Sequence, residues 1–318
     1  AAAAALEAAW ALPRLPRAAA VAEAPAPAAA GPSVADVLAA GVPADLADGV
    51  AALAAAVGTR GPEPLSDPLM LLRFYNARGR SVQAAAAMYR ETSAWRKEYS
   101  ISRVMAEHGS PDQYRKDGGR ATDATEWDWR HGPSTPEAQL AARHAFYARI
   151  GTAPDGAPVL FWRLGAADYA GFVREGLVDL ITQGWVSHLE DTLQRDRAAS
   201  LQRGKLVRAR LVVDASGFEL KSIRYLPILR QIITLGKSYF PEVTSSVTVV
   251  RAPWAASKLY AAVSPLLDEN IRRKIRILGN DFENELQRHS GLDLSMLPPS
   301  LGGSASGSEL APAAPVPA

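Results

Sequence analysis

The apolar positions in the first third of the chain recur at helical spacing. Ser33 to His108 has this pattern, and a helix is predicted to begin near Ser81. One face of that helix is formed by residues at intervals of 3, 4, 3 and 4: Ala85, Met88, Thr92, Trp95 and Tyr99. Another helix is predicted to open at Ser66-Asp67-Pro68, where a capping residue precedes a first-turn proline. The pattern therefore predicts a small helical bundle.

From Gly151 onward, short apolar runs alternate with helical stretches. The runs cover residues 159–162, 211–213 and 247–250, and the first follows an Asp155-Gly156 turn. Strands that lack regular polar alternation and are separated by helices are typical of a mainly parallel sheet covered by helices. An α/β fold is therefore predicted for this part of the chain.

Two amphipathic helices are predicted to flank the last of these strands, over residues 222–240 and 254–267. Pro227 kinks the first helix or marks its first turn, and Pro265 weakens the last turn of the second. In the second helix, one side carries Ala256, Tyr260, Val263 and Leu267. Such faces are also typical of ordinary core helices on a sheet, so they do not by themselves predict a ligand pocket.

Composition favours a globular protein with one large domain or one domain and a helical appendage. The chain has 318 residues, of which 48% are apolar, and its net charge is +2 from 35 basic and 33 acidic residues. This balance argues against nucleic acid as a partner. We expect disordered tails at 1–32 and 304–318, a helical lobe at 33–120 and a second lobe at 121–303. An alternative for the Ala/Pro-rich first tail is that it is the remnant of a processed organellar leader.

Several chemistries lack their sequence signatures. The chain has no cysteine, so disulfides and thiolate metal sites are excluded. Its histidines have no metal-ligand spacing, and no phosphate-binding glycine motif is present. Residues 303–307 place Ala305 where a nucleophile elbow needs serine. We therefore predict no catalytic or metal residues and no enzyme, although a triad assembled from distant residues stays open because triads are defined by geometry. No window is apolar enough to predict a membrane span.

Short motifs follow one another in a fixed order over residues 67–303. The first is the segment DPLMLLRFYNARGRSVQAAAAMYRETSAW, followed by Arg96, which resembles the helical N-terminal region of the CRAL-TRIO (Sec14-like) family. The later matches follow in the family's order: 155–159, 213–217, 240–242, 252–254, 274–275 with 278–279, and 297–298 with 302–303. Each piece is common by itself, whereas the joint order is specific.

The resemblance implies a Sec14-like lipid-binding lobe, preceded by a small helical N-terminal lobe. The lipid-binding lobe has a mainly parallel sheet as its floor, flanking helices and a mobile gating helix that matches residues 254–267. An acyl chain in water costs about 0.8 kcal/mol per methylene, so a closed apolar cavity extracts lipid only if a lid opens at the membrane. The gating helix and pocket lining are predicted to include Trp254, Leu259, Tyr260, Val263 and Leu267.

The resemblance also implies a headgroup site at Arg78, Glu242 and Lys274, which match residues of the phosphatidylinositol-transferring members. Cations suit a phosphodiester, and a carboxylate accepts hydrogen bonds from inositol hydroxyls. The alternative is that Glu242 caps a turn and Lys274 is a solvated charge at a strand end. The predicted function is binding and intermembrane transfer or presentation of a phosphatidylinositol-type phospholipid, with no cofactor other than the bound lipid.

Some positions depart from the family pattern. At one position where the family usually has a basic residue, this chain has Gly79, and at one where the family has a hydroxyl residue, it has Ile271. Two further hydroxyl residues, which are associated with phosphatidylcholine binding, are replaced by Ala209 and Leu211. The last two argue against phosphatidylcholine because its polar partners are missing. A tocopherol, retinoid or sterol-like cargo stays open, as does a lipid-sensing module without transfer; a lipid hydrolase is the weakest alternative.

Two basic stretches predict transient contact with a membrane surface. Residues 203–230 hold seven Arg or Lys against two acids, and residues 251–276 hold six against two. Basic residues near anionic lipid contribute about 1 kcal/mol each. The predicted docking residues are Lys258, Arg272 and Arg273, in a cytoplasmic protein that is peripheral at membranes. A lipid kinase or another effector is a possible further partner.

Overall fold

The structure, a computed structural model, describes residues 32–58, 65, 67–109, 133–145 and 147–305. The predicted tails, apart from their innermost residues, and the predicted lobe boundary at 120/121 lie outside these ranges. None of the helices within them is both long and apolar enough to cross a bilayer.

The helices, numbered along the chain, follow the predicted order of a helical front and an α/β remainder. They are α1 (Val34–Ala39), α2 (Ala44–Val57), α3 (Pro68–Ala77), α4 (Val82–Glu98), α5 (Ile101–His108), α6 (Pro136–His144), α7 (Tyr169–Arg174), α8 (Val178–Arg203), α9 (Leu226–Tyr239), α10 (Trp254–Val263), α11 (Glu269–Arg273) and α12 (Glu283–Ser290).

The helix starts predicted at Ser66-Asp67-Pro68 and Ser81 are confirmed, whereas the helix predicted over 222–240 begins only at Leu226, after a 3₁₀ turn at Leu220–Tyr225. The side chain of Asp67 accepts a hydrogen bond from the backbone N–H of Met70, and Pro68 occupies the first turn of α3. Ser81 caps α4 by accepting from the N–H of Ala84. Proline also limits α10, which ends at Val263 before a 3₁₀ turn that contains Pro265.

Five strands form one sheet in the order β1-β2-β3-β4-β5. They are β1 (Tyr147–Thr152), β2 (Pro158–Trp162), β3 (Ala209–Asp214), β4 (Thr244–Val250) and β5 (Ile275–Ile277). β2, β3, β4 and β5 pair in parallel, and β1 adds an antiparallel edge. The α/β fold class with a mainly parallel sheet is confirmed. The two edge strands were not among the predicted apolar runs, because β1 contains Arg149 and Gly151 and because β5 has only three residues.

The two faces of the sheet are covered by different parts of the chain. One face, with Phe161, Val212 and Val250, packs against α12 and the C-terminal segment through Leu286 and Leu297. The opposite face carries Leu160, Leu211 and Val213 toward α9 and α10. Because side chains alternate along a strand, each strand supplies both faces.

The helical front section packs directly on the α/β part. Trp95 is fully buried, stacks on Tyr239 with ring centroids 4.1 Å apart, and meets Phe240 edge-on at 5.8 Å. The next residue, Arg96, makes a bidentate ion pair with the buried carboxylate of Glu190 on α8. These contacts place the front helices against the chain segment that leads into β4.

Candidate functional site

A cavity of about 310 Å³ lies between the sheet and the helices α8, α9 and α10. Its floor consists of two rows of side chains that run across the strands in register. The first row is Leu160, Leu211, Val247 and Ile275, and the second is Tyr147, Trp162, Val213, Val249 and Ile277. A volume of this size, with a mostly apolar lining, is typical of a pocket for a hydrophobic small molecule.

Two helices form the cover of the cavity. α9 contributes Leu229, Ile232 and Ile233, and α10 contributes Leu259 and Tyr260. Val263 and Leu267 also line it, as the resemblance implied. The cover is thus apolar on its inner side, and the short proline-containing turn after α10 separates it from α11.

Trp254 does not line the cavity, and that part of the prediction is wrong. Its side chain is 65% exposed, and the Lys258 ammonium lies 5.3 Å from the centre of its ring. At about 100° per residue, positions 254 and 258 lie on the face of α10 opposite Ala256 and Val263. The helix therefore has an apolar inner face and an outer face with an aromatic and a cationic side chain.

The three predicted headgroup residues all line the same cavity. Lys274 donates a hydrogen bond from Nζ to Oε1 of Glu242 over 2.7 Å. Arg78, at the end of α3, borders the cavity as well; among the described residues its side chain has one hydrogen bond, to the carbonyl oxygen of Ala77 at 3.3 Å. The site therefore combines a paired lysine and glutamate with an arginine that has no carboxylate partner in the described ranges.

A fourth charged residue, Arg208, belongs to this group and was missed from the sequence. Its guanidinium pairs with Oε2 of Glu242, so two cations hold this carboxylate. Burial raises the pKa of Glu242, but Lys274 and Arg208 outweigh that effect and the net pKa is lowered, so the carboxylate stays ionised. The sequence position of Arg208 could have indicated this role, because Arg208 directly precedes β3, just as Lys274 directly precedes β5.

The backbone at Glu242 is strained and firmly held. Its φ is +53°, in the left-handed region that residues other than glycine rarely adopt. The buried Arg73 of α3 donates to the carbonyl oxygen of Glu242 at 2.6 Å and to that of Val207 at 2.5 Å, and pairs with Asp196 at 3.4 Å. Through Arg73, the front helices thus hold the backbone of Glu242 and with it the position of the carboxylate.

The cations of the basic stretch at 203–230 are paired with carboxylates only in part; Arg203, Lys205, Arg224 and Arg230 are exposed and have no ion pair among the described residues. Arg208 is paired with Glu242, Arg210 makes a bidentate pair with Asp155, and Lys221 pairs with Glu219. Arg208 and Arg210 meet their carboxylates because the fold brings separate chain segments together, whereas Lys221 and Glu219 are local neighbours in the chain. In the other stretch, Lys258 and Arg272 are exposed, and the exposed Arg273 pairs with Glu269 within α11.

The comparisons with known proteins agree with this geometry. The model of the CRAL/TRIO domain family matches residues 144–303. A CRAL-TRIO domain-containing protein of Caenorhabditis elegans is 27% identical over 240 residues, which cover 74% of this chain and 29% of that protein. The Sec14 cytosolic factor of Schizosaccharomyces pombe is 27% identical over 255 residues, covering 78% of this chain and 80% of the relative.

A crystal structure of Sfh5 aligns with 73% of this chain and 70% of its own, with a TM-score of 0.48 and 12% identity. The chain spans about a third of the length of the first relatives in the comparison. The family match covers half of the chain and includes the whole sheet, α9 and α10. The chain therefore belongs to the CRAL-TRIO family of lipid-binding proteins.

Proposed function

We propose that this protein binds a phosphatidylinositol-type phospholipid in the cavity and transfers it between membranes or presents it to an effector such as a lipid kinase. The observation that carries the proposal is the position of the ion-paired group of Glu242, Lys274 and Arg208 beside a cavity with a mainly apolar lining. A lipid with an anionic headgroup and apolar chains matches this arrangement, in which charged side chains lie beside a mainly apolar cavity.

The headgroup chemistry follows from the charges. Lys274 and Arg208 pair with one carboxylate, and Arg78 lines the same cavity without a carboxylate partner among the described residues, which leaves positive charge for a phosphodiester. Glu242 provides acceptors for inositol hydroxyls once a phosphate oxygen takes part of its place on the cations. Binding then exchanges one set of charge-assisted hydrogen bonds for another, so the cations are never left buried and unpaired.

The departures from the family pattern narrow the choice of headgroup. Ala209 is fully buried, Leu211 belongs to the cavity floor, and Ile271 lines the cavity. None of these side chains can hydrogen-bond a headgroup, and this supports a ligand other than phosphatidylcholine.

Entry and exit are assigned to α10. Its inner face covers the acyl chains, and its outer face presents Trp254 and Lys258 for the interfacial region of a bilayer. Arg272 and Arg273 lie exposed on the following helix, where anionic lipid would attract them. On this basis we propose a non-enzymatic protein that works at membrane surfaces without a cofactor. The name of the Schizosaccharomyces pombe relative, a cytosolic factor, supports a cytoplasmic location.

One observation favours an uncharged lipophile, such as a tocopherol, retinoid or sterol, as a second candidate. Glu242 already neutralises Lys274 through a 2.7 Å contact, so a cargo without charge would leave this pair intact. The two candidates make opposite predictions for the charged residues, since only an anionic headgroup needs them.

The test is native mass spectrometry with lipid extraction after the full chain has been mixed with liposomes that contain phosphatidylinositol, phosphatidylcholine and a sterol. Wild type is compared with Lys274→Met and Glu242→Gln, and with Arg288→Gln on the solvent side of α12 as the matched control. Circular dichroism establishes that each variant is folded.

We expect wild type and the control to retain phosphatidylinositol, and the two site variants to lose most of it. Retention of a neutral lipid that neither substitution affects would overturn the phosphatidylinositol assignment in favour of the second candidate. A wild-type chain that binds lipid but does not exchange it between vesicles would support a sensing module, and a chemically altered lipid would indicate an enzyme.

A further inference from the structure

A second, smaller cavity of about 60 Å³ adjoins the main one. The two cavities share five lining residues: Tyr147, Trp162, Trp185, Leu229 and Ile232. The remaining walls of this second chamber come from α5, α6, α7 and α8, so it lies on the side of the sheet edge formed by β1 and β2. Because the same five side chains line both spaces, the second chamber borders the lipid cavity directly.

Three aromatic rings form the partition between the chambers. The centroid of the Trp185 ring lies 4.8 Å from that of Tyr147 and 5.0 Å from that of Trp162. Tyr147 and Trp162 face each other across β1 and β2 and continue the second floor row of the main cavity. Both tryptophans are only half-buried, as expected for rings with open space beside them.

The second chamber suits hydrocarbon. Apolar side chains dominate its lining, including Phe172 and Ile181. His188 stacks on Tyr147 with a centroid distance of 5.0 Å, and burial lowers the pKa of His188 to about 3. Burial also lowers the pKa of His108. The walls therefore carry no histidine charge at neutral pH, and an alkyl chain meets no buried ion there.

We propose that the second chamber receives the terminal methylenes of one acyl chain of the bound lipid, and that Trp185 and Trp162 set the chain length that the protein prefers. This assignment rests on the proposed function. A water-sized group needs about 10–15 Å³, so the chamber has space for about four to six such groups, which corresponds to the last few carbons of a chain.

The size of the effect follows from the burial of methylenes. Each additional buried methylene strengthens binding by about fourfold. Chains that just fill the second chamber are therefore favoured over chains two methylenes shorter by roughly an order of magnitude. Chains that exceed the chamber gain nothing further.

The test is a competition among phosphatidylinositols that differ in acyl length. The full chain is mixed with phosphatidylcholine vesicles that carry equal amounts of dimyristoleoyl, dipalmitoleoyl, dioleoyl and dieicosenoyl phosphatidylinositol, and the bound species are quantified by native mass spectrometry. Trp185→Ala opens the partition, and Ala145→Leu fills the second chamber from the end of α6. Ala170→Leu, on the exposed side of α7, is the matched control.

We expect Trp185→Ala to shift the bound population to longer chains and Ala145→Leu to shift it to shorter ones, each by at least fourfold in the ratio of neighbouring species. The control keeps the wild-type distribution. If Trp185→Ala does not fold, Ala145→Leu decides the question. An unchanged distribution in a folded variant that retains lipid overturns this assignment and leaves the proposed function standing, whereas absence of phosphatidylinositol from wild type overturns both.

Discussion

Glu242 and Lys274 meet at the same edge of the sheet, although 32 residues separate them in the chain. Lys274 directly precedes β5, and Glu242 lies two residues before β4, which pairs with β5 in parallel. Arg208 directly precedes β3, the next strand in the sheet. Because neighbouring parallel strands begin at the same end of the sheet, the three charged side chains lie close together beside the cavity.

The ion pair between Glu242 and Lys274 should contribute measurably to stability. Glu242→Gln is expected to lower the free energy of unfolding by about 1–2 kcal/mol, because two partly buried cations lose their carboxylate and solvent screening reduces the cost. Urea unfolding measures this value. In a double-mutant cycle with Lys274→Met, we expect a coupling energy of about 1 kcal/mol; additive effects of the two substitutions would show that the contact contributes nothing to folding.

Arg73 is predicted to be the most costly charged residue to replace. It is completely buried, and its loss leaves Asp196 buried without its cation and removes the guanidinium donor from the carbonyl oxygens of Glu242 and Val207. Arg73→Met should destabilise the fold by about 3–5 kcal/mol in the same unfolding assay.

The double variant Arg73→Met with Asp196→Leu tests the cause of that loss. Burial raises the pKa of Asp196 and lowers that of Arg73, so each of these buried ions is poorly accommodated without the other. We expect the double variant to recover part of the stability, because it removes the buried charge. A double variant that is less stable than Arg73→Met would mean that packing, not charge, is responsible.

Stability should fall on acidification through His188. Burial lowers its pKa from 6.5 to about 3. Between these two pH values, His188 is therefore protonated in the unfolded chain and neutral in the folded chain. The contribution of neutral His188 is complete above pH 6.5 and declines as the pH falls toward 3. At pH 5 the loss is about 2 kcal/mol.

The matched variant for this prediction is His188→Phe, which retains a ring against Tyr147. Thermal unfolding between pH 7 and pH 5 should show a smaller decrease in Tm for the variant than for wild type. Parallel pH profiles would place the acid sensitivity elsewhere in the chain.

Trp254 should matter for membrane contact and not for folding. Its side chain is 65% exposed, so Trp254→Ala is expected to change the free energy of unfolding by less than about 0.5 kcal/mol. Its binding to vesicles that contain anionic lipid should weaken roughly fivefold, as measured by flotation, because the aromatic anchor of α10 is lost. Trp254→Phe should retain most of the binding; equal binding by wild type and Trp254→Ala would remove α10 from the membrane contact.

Local sequence patterns were sufficient for the elements that have strong signals at their ends. The Asp67-Pro68 and Ser81 starts of α3 and α4 and the limit that Pro265 sets on α10 depend on a few neighbouring residues. The strand β1 was missed because Arg149 and Gly151 interrupt its apolar run, and pairing with β2 stabilises it despite that composition. The outward position of Trp254 was available from helical periodicity alone, since Trp254 and Lys258 are four residues apart.

The sequence by itself determined the α/β class, the family and the three headgroup candidates Arg78, Glu242 and Lys274, because these depend on local periodicity and on the order of short motifs. Only the tertiary structure decided that Arg208 shares Glu242 with Lys274, that Arg210 of the stretch 203–230 pairs with Asp155, and that aromatic rings separate two adjoining cavities. Each of these depends on which residues of separate strands and helices become neighbours. That choice is made by sheet order and packing, which have no signature in the local sequence.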